Sequence, residues 1–112
     1  NLGLSDARFV IERGRNANGL WVRWSDGAIE LMGFATPTDG LAIVNFPIAL
    51  PEISPHISIA EYVPDAIWVN VAHTSMVISS TLTTTGFRVR CQMAAGGPSH
   101  YGFSWRLYYA PI

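Results

Sequence analysis

Apolar and polar residues alternate along most of the chain with the two-residue period of half-buried strands, and no stretch sustains a helical period. The alternation predicts strands over residues 7–13, 20–25, 28–34, 41–46, 56–62, 67–72, 76–79, 87–93 and 101–109. A turn region over residues 14–18, then Asp26-Gly27, Pro37-Thr38-Asp39-Gly40, Pro64-Asp65 and Gly96-Gly97-Pro98-Ser99 separate them. Many strands with turn signals every ~8–12 residues predict an all-β protein, an antiparallel β-sandwich.

The pattern assigns faces as well as elements. Phe87, Val89, Cys91 and Met93 share one side of their strand, opposite Arg88, Arg90 and Gln92. Tyr101, Phe103, Trp105, Leu107 and Tyr109 share one side of the last strand, opposite Gly102, Ser104, Arg106 and Tyr108. With Asp26-Gly27 as a two-residue hairpin loop, Trp24 faces Ile29, Arg23 faces Glu30 and Val22 faces Leu31. That register puts Leu20, Val22, Trp24, Ile29 and Leu31 in the core. It leaves Trp21, Met32 and an Arg23–Glu30 ion pair outside, where the two apolar side chains require a cover.

Composition changes the picture at one point. The chain has 112 residues, enough for one domain, and only 13% are charged against 49% hydrophobic. There is no lysine, the residue that commonly guards strand edges. So few charges predict that another subunit covers part of the surface. A net charge of −1 without a basic run excludes a nucleic-acid footprint, and no apolar run reaches the ~18 residues of a membrane span. Cys91 is alone, on an apolar face, and is read as a small buried hydrophobe.

Chemistry is sparse. His56, His73 and His100 are scattered singly, and the four Asp and four Glu are spread along the chain. No nucleophile elbow, phosphate loop or local metal spacing is present, so neither catalysis nor a metal or other cofactor is expected. Tyr62, Trp68, Tyr101, Tyr108 and Trp21 are the aromatic candidates, because a ring offers a flat apolar face and a polar tip, and a subunit interface or the core uses the same side chains.

The segment Asn18-Gly19-Leu20-Trp21-Val22-Arg23-Trp24-Ser25-Asp26-Gly27-Ala28-Ile29-Glu30 resembles the opening hairpin of C-terminal receptor-binding tip domains in tailed-bacteriophage tail fibres. Gly33, Phe46-Pro47-Ile48-Ala49-Leu50-Pro51, Thr85-Gly86-Phe87 and Trp105 follow in the order seen in those domains. The second half also resembles the H-type lectin pattern. The last residues, Trp105-Arg106-Leu107-Tyr108-Tyr109, depart from the Trp-x-Ala-x-Gly ending common in the fibre domains.

The resemblance implies an H-type-lectin-like sandwich assembled as a homotrimer at the virion's tail-fibre tip. It implies a non-catalytic adhesin that binds a bacterial surface glycan or protein receptor. Residues 1–17 would connect to an upstream fibre and residues 18–112 would form the tip, cut from a longer chain. Binding through the loops at the sandwich ends and their flanking strands makes Tyr62, Asp65, Trp68, His73, His100 and Tyr108 the expected receptor contacts. Two alternatives stand beside this reading: a structural domain that trimerises and caps the fibre, and a free-standing lectin of H-type fold.

Overall fold

The structure, a computed structural model, describes residues 7–62, 73–94 and 96–111. Eight strands are present among them: β1 (Val10–Asn16), β2 (Gly19–Trp24), β3 (Ile29–Ala35), β4 (Leu41–Asn45), β5 (Ile57–Glu61), β6 (His73–Ile78), β7 (Gly86–Met93) and β8 (Phe103–Tyr109). A 3₁₀ turn spans Ser79–Thr81. All pairings are antiparallel. They build a five-stranded sheet in the order β1-β2-β3-β8-β5 and a three-stranded sheet in the order β4-β7-β6. The expected strand over residues 67–72 lies outside the described residues.

The inner faces of the two sheets meet in one core. Ile29, Leu31, Phe103, Trp105, Leu107 and Tyr109 come from the larger sheet; Ala42, Val44, Phe87, Val89 and Cys91 come from the smaller. Their alternation with exposed neighbours is the one expected for β7 and β8, and the architecture is the two-layer sandwich that the pattern predicts. At the centre Trp105 lies 5.7 Å from Phe46 and 5.8 Å from Phe87, the latter ring edge-on. The indole also occupies the space above Gly33, its partner on β3, where an added Cβ would stand 2.9 Å from Nε1.

Cys91 is only 1% exposed, as expected of a buried hydrophobe. Burial pushes its thiol pKa up, because the thiolate would lose its hydration; a hydrogen bond with Ser75 opposes that shift. A thiol-reactive maleimide at neutral pH should therefore label the native protein far more slowly than the denatured one. Equal rates, followed by mass spectrometry, would contradict this placement.

The first hairpin differs from its expected register by one residue. Arg23 pairs with Ile29, Val22 with Glu30, Trp21 with Leu31 and Leu20 with Met32. The loop therefore holds three residues, Ser25-Asp26-Gly27. The Trp24 N–H donates to the Ala28 carbonyl at 2.9 Å, the Ala28 N–H to the Asp26 carboxylate at 3.0 Å, and Gly27 adopts φ +93°. Three-residue loops of this kind need a left-handed residue, which glycine supplies.

Because side chains alternate with a period of two, this one-residue shift exchanges the two faces of β2. Trp21 packs against the core, and Leu20, Val22 and Trp24 face outward with Glu30 and Met32. The expected core position of Trp24 and the expected Arg23–Glu30 pair are both corrected. The Arg23 Nε lies 2.7 Å from Glu12, while Glu30 accepts the Trp24 Nε1–H at 2.7 Å. Trp21 does find its cover in β1: Gly14 lies opposite, with its missing side chain replaced by the indole ring. Gly14 is thus a strand residue, and the turn shrinks to Ala17-Asn18.

Candidate functional site

The outward face of the larger sheet is built by the register. Arg15 opposes Leu20, Leu20 opposes Met32, Met32 opposes Arg106 and Arg106 opposes Ser58, forming one row across all five strands. Neighbouring strands lie ~4.8 Å apart, so the Arg15 and Arg106 backbones stand roughly 14 Å from each other. Phe34 and Ser104 form the next row toward the β1–β2 turn.

These positions line a groove of about 620 Å³ whose floor is Leu20 and Met32 and whose flanks are Arg15, Arg106 and Phe34. Asn16 and Asn18 hold the turn at its end in place, donating side-chain hydrogen bonds to the carbonyls of Pro47 and Phe46 at 2.8 and 3.4 Å. A smaller apolar depression of about 310 Å³ continues along the same sheet beside Arg13 and Val22.

An aromatic pair stands at the rim. Phe34 is 58% exposed and Tyr62 is 52% exposed, yet their rings meet edge-to-face at 5.3 Å and 87°. They come together because β8 runs between β3 and β5 and carries Gly102 just before it. The Phe34 ring fills the space a Cβ at Gly102 would need, 2.7 Å away, and the Tyr62 N–H donates to the Gly102 carbonyl at 3.0 Å.

The six expected contact residues are distributed unevenly. Tyr62 follows β5 directly, and the adjacent Glu61 accepts a hydrogen bond from Ser75 on β6 at 3.2 Å. His73 opens β6 opposite Met93, whose N–H donates at 2.8 Å to Gly97, in the loop that carries the exposed His100. Tyr62, His73 and His100 therefore share one end of the sandwich. Tyr108 lies near the opposite end of β8, where its hydroxyl accepts a hydrogen bond from Arg8 at 3.0 Å. The Arg8 guanidinium also lies 4.1 Å above the Trp24 ring. Asp65 and Trp68 lie outside the described residues.

Sequence reasoning did not single out Arg15 or Phe34; it placed Met32 on the outer face only as an apolar residue in need of a cover, and Arg106 only on the polar side of the last strand. The signal that finds them is the register across four strands, which no local motif contains.

The groove offers apolar contact, positive charge and neutral hydrogen-bonding groups. Its polar side chains are arginines, asparagines and a serine hydroxyl, and no carboxylate of the described residues lines it. Among the described residues, no group of three or more His, Cys, Asp and Glu stands ready for a metal. No helix among them is long and apolar enough to cross a membrane.

No protein-family model matches the chain, and no curated protein matches it. Solved structures do. The C-terminal region of a P. aeruginosa R2 pyocin fibre aligns over 92% of this chain with 21% identity and a TM-score of 0.64. An N-truncated R2-type pyocin tail fibre gives the same coverage, identity and score, and an N-truncated R1-type fibre aligns at 16% identity with a TM-score of 0.63. The chain spans 26% and 37% of the two R2 fibre chains and 85% of the R1 chain. Over nearly its whole length the polypeptide has the fold found in pyocin tail fibres.

Proposed function

We propose that this domain is the receptor-binding tip of a phage-type tail fibre, acting outside the cell as a non-catalytic attachment module for a bacterial surface receptor. The observation that carries this reading is the shared fold with three pyocin fibre structures across 92% of the chain. The groove on the larger sheet and its aromatic rim supply a surface for attachment. A homotrimer is the assembly we propose, with residues 1–17 leading toward a shaft. The exposed Phe9, Val10 and Ile11 near the start of the chain, and Ile43 and Met76 on the smaller sheet, are apolar surface that neighbouring copies would cover.

Three identical sites on one rigid tip raise weak single-site binding through avidity, by ~10²–10⁴ when all can engage together. The test is binding of the fluorescently labelled domain to a panel of bacterial strains that differ in surface polysaccharide, with light scattering on the same sample. Saturable binding to some strains, competed by unlabelled domain, is the expected result. A stable oligomer that binds no strain would favour the second reading, a structural cap for the fibre, which the same exposed apolar surface supports.

A further inference from the structure

We infer that the groove on the larger sheet takes an acidic oligosaccharide, gripping anionic groups on separate sugar units with Arg15 and Arg106. This deepens the attachment role above and rests on it. The two arginines are exposed, line the groove from opposite sides, and make no ion pair with any described residue. The guanidiniums that do have carboxylate partners, Arg8 and Arg23, lie elsewhere. Two guanidiniums that no carboxylate among the described residues neutralises, facing one groove, create a field that complements an anion.

A guanidinium binds carboxylate or phosphate through paired, charge-assisted hydrogen bonds. Side chains stand roughly perpendicular to a sheet. The two arginines rise from backbones roughly 14 Å apart, three strand spacings, with Leu20 and Met32 between them. That spacing suits a chain with repeated charges better than a single compact ion. The apolar floor and the Phe34 ring meet the C–H faces of sugar rings, while Ser104 and Asn18 offer hydrogen bonds to hydroxyls. A volume of about 620 Å³ falls within the ~300–1,000 Å³ usual for ligand sites.

The experiment measures affinity of the intact domain for an oligogalacturonic acid, its fully methyl-esterified form, and a phosphorylated mannan oligosaccharide. The acid and the ester share a backbone and differ in charge; the phosphorylated probe distinguishes carboxylate from phosphate as the source of the anion. At least one anionic probe should bind about ten-fold or more tightly than the ester, and binding should weaken as salt rises. R15Q and R106Q should each lower affinity for it about ten-fold, and the double variant should lose the product of the two. R88Q and R90Q, on the smaller sheet, should bind as the parent does. Size-exclusion chromatography and circular dichroism confirm that each variant keeps its assembly and fold.

The inference is overturned if the ester binds as well as the charged probes, if neither charged probe binds, or if R88Q costs as much as R15Q. Adhesion of the same variants to whole bacteria separates the two levels. Undiminished adhesion by R15Q and R106Q removes the acidic ligand and leaves the attachment role standing. Failure of the parent domain to adhere to any strain removes the attachment role itself.

Discussion

Replacing Trp105 by alanine should remove a large share of the stability of this domain. The side chain is 2% exposed and sits where both sheets meet, against Phe46 and Phe87 from one side and Gly33 from the other. Truncating a buried tryptophan costs about 3–5 kcal/mol, from lost apolar transfer and from the cavity left behind. A domain of this size is stable by only about 5–15 kcal/mol. Chemical denaturation followed by circular dichroism should show the midpoint collapse, with the W105A protein partly unfolded at the low end of that range. Gly33→Val should act in the same direction from the other side, because its side chain would enter space the indole already fills. A W105A protein within about 1 kcal/mol of the parent would mean that the two sheets are not held through this residue.

The largest functional effect is expected at the rim. Removing both rings, in F34A/Y62A, should weaken adhesion to a bound strain by about thirty-fold or more, the scale of a ~2 kcal/mol hot spot. Stability should fall little, because both rings are more than half exposed and their mutual edge-to-face contact contributes only ~0.5–1.5 kcal/mol. Adhesion assays and light scattering on the same preparation check both parts. If the oligomer dissociates together with the loss of adhesion, the two rings belong to a subunit interface. If adhesion and assembly both survive, the contact surface lies elsewhere, with the His73 and His100 end of the smaller sheet the next place to look.

The sandwich was legible because its central strands are two-sided. In β7 and β8 every second residue is apolar, so a period of two identifies both the strand and its inner face. The first hairpin was harder. Trp-x-x-Trp on β2 offers a large apolar residue to either face, so the pattern alone cannot choose, and Asp26-Gly27 fits a two-residue loop as readily as the end of a three-residue one. The choice is made by the Asp26 carboxylate capping the Ala28 N–H and by the room over Gly14 for Trp21, neither of which alternation reports. The groove was hidden for a different reason. Arg15 and Arg106 are 91 positions apart, and they share a row only because β3 and β8 are neighbours in the sheet. Tyr62 stood out by its place beside a turn, but its ring partner Phe34 did not, since their meeting depends on β8 passing between β3 and β5.

The strict alternation along β3 and β8 also has an evolutionary consequence. Leu31, Trp105 and Leu107 serve the core, whereas Met32, Ser104 and Arg106, one step away on the same strands, serve the outer surface. Inherited changes at the second set can alter size, charge or hydrogen bonding without asking the first set to repack. Under the attachment role proposed above, a lineage facing a changing bacterial coat could revise the proposed contact surface one codon at a time, with each intermediate still folding.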